Sequence, residues 1–130
     1  YRGQKIMNEK EYKNSELILI PKVEKYTEYI LNLLIKIPRT EKYSIGTEYK
    51  SSMYEMIQNI LYLNKIEKSK RMYYLNKIDA ILNCQRIYLR IMKNNHWIDE
   101  KKFNIAIDKI YEIGKIIGGL LKYYAKNNTK

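Results

Sequence analysis

The spacing of the apolar residues constrains the fold of this chain more than any other feature. Isoleucine, leucine, tyrosine and methionine recur every three or four positions over most of the sequence and rarely alternate with polar residues. A period near 3.6 is that of an amphipathic helix, whereas a half-buried strand has a period of two. Two prolines and five glycines in 130 residues also argue against a turn-rich sheet. We therefore predict an all-α fold in a single domain.

Proline and capping residues divide the pattern into segments. The first helix is predicted to begin at about Pro21, since proline is tolerated in a first helical turn. It ends at Pro38, which cannot donate to the helical ladder and disfavours helix in the residue before it. Ser44 is the predicted N-cap of a second helix, which fades near Asn64. The intervening stretch PRTEKYSIG, residues 38–46, is predicted to be non-helical.

Two further helices complete the chain. The third opens near Ser69 and stops at Asn94–Asn95, and the fourth is capped by Asp99. The predicted core stripe of the third helix is Leu75, Ile78, Leu82, Gln85, Leu89 and Met92. Four helices with short connections predict an antiparallel up-down-up-down four-helix bundle. We assign residues 15–126 to the bundle, 1–14 to an N-terminal extension and 127–130 to a polar tail.

The third helix carries a second apolar line beside its core stripe. The line consists of Tyr74, Ile81, Cys84, Tyr88 and Ile91. One small bundle cannot bury both stripes, and surplus apolar surface is more typical of a subunit interface than of a cofactor site. We therefore predict an oligomer interface that includes Tyr88 and Ile91.

Glycines interrupt the fourth helix. Each costs a helix about 1 kcal/mol relative to alanine, so a compensating role is expected. Gly114 and Gly118 are four positions apart and share a face, which predicts close approach of another backbone, and we place both at the oligomer interface. The alternative is that Gly118–Gly119 frays the end of the helix.

The balance of charges is strongly basic. The formal net charge is +11, from 25 lysines and arginines against 14 aspartates and glutamates. Such an excess attracts polyanions, including nucleic acid and anionic lipid surfaces. The alternative is a solvated face produced by compositional bias, since 20 of the 25 cations are lysines.

The arginines are the more specific signal, because a guanidinium binds phosphate in a two-pronged geometry. Arg86, Arg90 and Lys93 follow one another by three or four positions, and we predict that they share the polar face opposite the core stripe and bind nucleic acid. Ordinary solvation or salt bridges between subunits are the alternative. Arg39 and Lys42 could likewise position phosphate, although for Arg39 we favour a structural role in bonding the carbonyls of its connector.

Catalysis has little support in the sequence. His96 is the single histidine, and no cysteine or carboxylate stands at a convincing metal-ligand spacing from it. No phosphate-binding glycine loop occurs, so we predict no catalytic residue, no metal and no cofactor. The single cysteine, Cys84, allows no intrachain disulfide, which fits a cytoplasmic protein, and its apolar neighbours predict a core position. No apolar run reaches the roughly 18 residues of a membrane span.

Two stretches carry a family resemblance that covers residues 16–124. IPRTEKYSIGTEYK follows the first helix, and HWIDEKKFNIAIDKIYEIGKIIGGLLK forms the fourth. Together they resemble the four-helix-bundle family of the accessory variability determinant (Avd) proteins of diversity-generating retroelements and the ribosomal-RNA intervening-sequence proteins. The matching positions are Pro38, Arg39, Lys42, Tyr43, Ser44, Ile45 and Gly46, then Glu112, Ile113, Gly114, Gly118 and Gly119. Leu120 stands where the family commonly has tryptophan.

The resemblance implies a function that composition alone does not. It implies a basic, non-catalytic protomer of a homopentameric barrel that acts beside a reverse transcriptase and its RNA. DNA or an RNA–DNA hybrid would be further partners, and a membrane would not. The alternative is a structural oligomer of the intervening-sequence type with no role in nucleic-acid binding.

Overall fold

The computed structural model describes residues 9–128 of the chain, in which it shows four long helices and one single-turn helix. In chain order these are α1 (Glu9–Ile35), α2 (Arg39–Lys42), α3 (Ile45–Leu63), α4 (Lys68–Asn94) and α5 (Glu100–Asn128). No strand occurs in this range. The predicted all-α class is therefore confirmed, with α1, α3, α4 and α5 as the four predicted helices.

Contacts between side chains show how the long helices pack. Tyr62, near the end of α3, meets Tyr74, near the start of α4, with ring centroids 5.2 Å apart. The Lys93 ammonium, near the end of α4, lies 4.7 Å from the ring centroid of Phe103, near the start of α5. Neighbours are therefore antiparallel. Both α1 and α4 contact α3 and α5, so the α1–α5 and α3–α4 edges lie on opposite sides of the bundle.

One stripe from each long helix forms the core. All six predicted core positions of α4 are completely buried. The stripes that meet them include Val23, Tyr26, Ile30 and Leu34 from α1, Tyr49, Met53 and Met56 from α3, and Ala106, Ile110 and Ile117 from α5. Burying each large apolar side chain contributes about 1.5–3 kcal/mol, which outweighs the modest helix propensity of the isoleucines and tyrosines.

A chain of hydrogen bonds crosses this core. The Tyr26 hydroxyl donates to Gln85 Oε1 at 2.7 Å, and the Tyr49 hydroxyl lies 2.7 Å from it. Tyr26 has one proton and gives it to Gln85, so Tyr49 is the donor in the tyrosine pair. Gln85 Nε2 donates to Ser52 Oγ, which donates to the Tyr49 carbonyl. Burial raises the pKa of both tyrosines, and the protonated hydroxyls remain the donors that the network needs.

The start of α1 differs from the prediction. The helix begins at Glu9, so Pro21 lies in its interior rather than in its first turn. Leu19, one turn into this earlier part, is 2% exposed and helps to hold the segment on the bundle. The Leu17 carbonyl loses its usual donor at Pro21, but both residues are exposed, so water can reach the carbonyl.

The predicted terminal segments are only partly described. Residues 9–14, predicted as part of an N-terminal extension, continue α1. Residues 1–8 of that extension and residues 129–130 of the predicted tail lie outside the described residues.

The connector after α1 is more ordered than its sequence predicted, because residues 39–42 form a helical turn. Ser44 precedes α3, as expected, but its hydroxyl does not cap that helix. It instead donates to Glu41 Oε2 at 3.0 Å. A Cβ on Gly46 would lie 3.3 Å from the Glu41 carbonyl oxygen, a close approach that favours glycine here.

The connector between α4 and α5 ends one helix and starts the next. His96 adopts φ 61°, and the amides of His96 and Trp97 bond back to the carbonyls of Lys93 and Met92. This is a Schellman motif with histidine in the left-handed position that glycine usually occupies. The Lys102 amide donates to Asp99 Oδ1 at 2.8 Å, which confirms the predicted cap of α5.

The structure decides between the alternatives for the glycines within the chain. Helix α5 continues through Gly118 and Gly119 to Asn128, so these residues do not fray its end. Gly114 and Gly118 are both buried in the single chain, as close packing between helices requires. Their predicted place at a subunit interface stays a prediction.

Candidate nucleic-acid interface

The three predicted cations of α4 do not form the face that the sequence suggested. Arg90 is exposed, but Arg86 and Lys93 are half-buried beside the core. Arg86 stands four residues after Leu82 and three before Leu89, so it is their neighbour on the helix surface rather than opposite them. The prediction of a polar face opposite the core stripe was therefore wrong for Arg86 and Lys93.

Both half-buried cations have partners within the chain. Arg86 Nη1 donates to Asn83 Oδ1 at 2.6 Å. Lys93 lies over the Phe103 ring and is 3.9 Å from Glu100 Oε1. Arg90 is therefore the member of the set that is most available to a phosphate.

Arg39 and Lys42 lie on α2. In the described part of the chain, the Arg39 side chain makes no hydrogen bond to a carbonyl of the connector, so the structural role that we favoured is not found there. The carbonyl of Lys42 accepts a hydrogen bond from Thr47 Oγ1 at 3.1 Å, which fixes the backbone of this turn. Arg39 is exposed, and contact of either cation with phosphate stays a prediction.

Topology brings four of the five predicted cations to one end of the bundle. Helix α1 and helix α4 run in the same direction, so the α2 connector and the last turns of α4 lie at the same end. Arg39, Lys42, Arg90 and Lys93 are therefore at what we call the α2 end, and Arg86 lies nearer the middle.

A second basic surface, which the sequence reasoning missed, follows the α1–α5 edge. We call it the lysine groove. Its lining includes Lys22, Lys25, Tyr29, Asn32, Leu33 and Lys36 from α1, and Lys102, Lys109 and Glu112 from α5. The signal was present in the sequence, because residues 22, 25, 29, 32 and 36 recur by alternating steps of three and four along one flank of α1.

The electrostatics of the lysine groove are positive along its length. Glu112 accepts a hydrogen bond from Lys22 at 2.9 Å, and this bond and the lysine charge lower the pKa of the carboxyl. Asp99 lies 4.0 Å from Lys102 at the other end. Five lysines therefore face these two carboxylates. The Lys109 ammonium stands 5.6 Å from the ring centroid of Tyr29, in the middle of the groove.

Other chemistry finds no assembled site in the described residues. Within residues 9–128, no three histidine, cysteine, aspartate or glutamate side chains are grouped so that they could hold a metal ion. None of the described helices combines the length and hydropathy of a membrane span. Cys84 is exposed rather than buried, because it lies on the outer side of α4, so its predicted core position was wrong.

Comparison with known proteins bears on most of the chain. Neither the curated proteins nor the solved structures gave a match. The bAvd-like family matches over residues 17–124, which includes nearly all of the four long helices and the connectors between them. The match agrees with the Avd resemblance and with the observed four-helix bundle, and the chain belongs to the bAvd-like family.

Proposed function

We propose that this chain is a non-catalytic accessory subunit of a diversity-generating retroelement, which binds nucleic acid through its phosphates beside a reverse transcriptase. Membership of the bAvd-like family supports the accessory role and the polymerase partner. The observation that carries nucleic-acid binding is the lysine groove, in which two helices align five lysines on one edge.

The groove has dimensions that suit a polyanion. Lys25 and Lys36 are 11 residues apart on α1, which is about 16 Å along a helix axis. A duplex carries one charge per roughly 1.7 Å of its axis, so a segment of that length presents about nine phosphates. The lysine ammoniums are point charges on flexible stems, which suits phosphate contact with little preference for base sequence.

The α2 end extends this surface. Lys36 lies in the groove and is followed, three residues later, by the exposed Arg39. A strand that follows the groove would therefore reach Arg39 and Arg90 at the end of the bundle. RNA, DNA and hybrids would compete for such a site, and the reverse transcriptase would supply the selectivity.

A structural oligomer is the second candidate function. It is favoured by the apolar line on α4, whose Ile91 is 40% exposed. The two candidates require the same fold and differ in whether the basic surface has a ligand.

Charge reversal tests the proposal. We compare Lys25→Glu/Lys36→Glu in the groove, Arg39→Glu/Arg90→Glu at the α2 end, and Lys10→Glu/Lys50→Glu as a control with the same change of charge at exposed sites elsewhere. The first two variants should bind labelled RNA and duplex DNA at least tenfold more weakly at low salt. Each should also lower the slope of log affinity against log salt by about one to two.

The control should change affinity by less than threefold, and circular dichroism should show unchanged helicity in all three. A wild-type protein that binds no nucleic acid at low salt would contradict the proposal and favour the structural oligomer. Equal losses in the control and the test variants would show that only net charge matters.

A further inference from the structure

Three tyrosines form a partly exposed cluster on the α3–α4 edge. Tyr74 is half-buried, and its ring meets those of Tyr62 and Tyr73 edge to face, with centroids 5.2 Å apart in both pairs. Tyr62 remains 48% exposed and Tyr73 67% exposed. We call these three residues the tyrosine cluster. Their contacts hold the rings in fixed orientations while leaving two of them accessible to a ligand.

Cations surround the tyrosine cluster. Lys70 and Lys77 lie three or four residues before and after Tyr73 and Tyr74, so both flank these rings on the surface of α4. Lys65 and Lys68 lie close by, in the α3–α4 connector and at the first position of α4. Carboxylates are fewer, with Glu67 in the same connector and Glu55, which is 3.6 Å from Lys77. The local charge therefore favours an anionic ligand.

We propose that the tyrosine cluster binds unpaired bases of single-stranded nucleic acid by stacking, with the surrounding lysines on the phosphates. Every base has a π-face that can stack on an aromatic ring, whereas a duplex hides those faces between its own base pairs. Rings that are already held by edge contacts lose little rotamer freedom when a base stacks on them. Alternating aromatic rings and lysines are what a single strand, with its alternating bases and phosphates, requires.

This site is distinct from the lysine groove. The α3–α4 edge lies on the side of the bundle opposite the α1–α5 edge. The tyrosine cluster is also near the end of α3 and the start of α4, which is the end of the bundle away from α2. The inference rests on the proposed nucleic-acid function for its ligand class and adds a preference for single strands, which the groove does not supply.

The test compares single-stranded and duplex binding. Tyr62→Ala/Tyr73→Ala should bind an oligothymidine strand roughly five- to a hundredfold more weakly, the range expected for one stacked base. Its affinity for a duplex of the same length should change by less than twofold. Tyr62→Phe/Tyr73→Phe keeps both rings and should bind like wild type. Tyr111→Ala, which removes a 55% exposed tyrosine from α5, is the matched control.

Two further measurements make the outcomes distinct. Binding of the strand should quench tyrosine fluorescence in wild type and less in the alanine variant, and light scattering should give all variants the same assembly mass. Unchanged single-strand affinity in the alanine variant, or an equal loss for duplex, would overturn this inference alone. A reduced assembly mass would also overturn it, because the cluster would then be a subunit contact. If wild type binds neither ligand, the proposed function fails as well.

Discussion

At the scale of single residues, Tyr26 links three of the four long helices. Its hydroxyl joins α1 to Tyr49 of α3 and to Gln85 of α4. A buried hydroxyl without a partner costs more than a hydrogen bond gains, so these bonds favour the one alignment of helices that satisfies all of them. The network therefore acts on the register of the bundle as well as on its stability.

Replacing the two tyrosines should have unequal effects. Tyr26→Phe leaves Gln85 Oε1 without its donor and the Tyr49 hydroxyl without its acceptor, and we expect a loss of about 2–4 kcal/mol in the free energy of unfolding. Tyr49→Phe keeps the bond from Tyr26 to Gln85, so a loss of about 1 kcal/mol is expected. Urea unfolding followed by circular dichroism measures both. Equal losses would show that the network does not run in the direction described.

The core residues could be predicted from the sequence, while the surroundings of the polar residues could not. Periodicity gives the angle of a side chain around its own helix, and this was enough to find all six core positions of α4. It does not say which neighbouring helix covers the border of the stripe. Helix α5 covers Lys93 there through Phe103, and no helix covers Cys84. The errors at Lys93 and Cys84 have this common cause.

At the scale of secondary-structure elements, the ends of helices were predicted better than the start of α1. Pro38, Asn94 and Asp99 act through local sterics and hydrogen bonds, which a short stretch of sequence contains. Pro21 carries the same local signal, but the burial of Leu19 on the bundle overrides it. The lysine groove was missed for a related reason, since it takes residues from two helices that are about 80 positions apart in the chain.

Removing the internal proline should stabilise α1. Pro21→Ala supplies an amide that can donate to the Leu17 carbonyl and removes a ring that crowds the preceding turn, so we expect a gain of about 1–3 kcal/mol. Pro38→Ala is the matched control. Pro38 precedes α2 with φ −55°, where proline is unstrained, and its loss should cost about 0.4–1 kcal/mol. Thermal unfolding compares the two, and a lower melting temperature for Pro21→Ala would contradict the helical path through residue 21.

At the scale of the whole molecule, the apolar line on α4 is not uniform. At one end, Tyr74 is partly covered by Tyr62 and Tyr73 of the same chain. At the other end, Ile91 is 40% exposed. A closed ring of five joins unlike surfaces of neighbouring subunits, so this end can pack on a second face of the next protomer. The lysine groove lies on the opposite edge and need not be covered by that contact.

Tyr88 and Ile91 test a subunit interface in different ways. The Tyr88 ring packs 5.5 Å from that of the buried Tyr49, and a hydrogen bond with the Cys84 thiol, followed by burial, raises the pKa of Tyr88 to about 12. Tyr88 is thus partly engaged within its own chain, and Tyr88→Glu would disturb the fold as well as any interface. Ile91 is the cleaner probe, because its substitution changes an exposed position.

We expect light scattering to give about five times the chain mass of 15.8 kDa for wild type. Ile91→Glu should lower that mass to the monomer, because each interface in the ring would then have to bury a carboxylate against apolar side chains, while helicity and melting of the protomer stay unchanged. Ile35→Glu, at a position 63% exposed on α1, is the control and should leave the assembly intact. A wild-type monomer at micromolar concentration would contradict the prediction of a pentamer. A pentamer that persists in Ile91→Glu would instead place the interface away from this end of α4, on another of the exposed apolar positions.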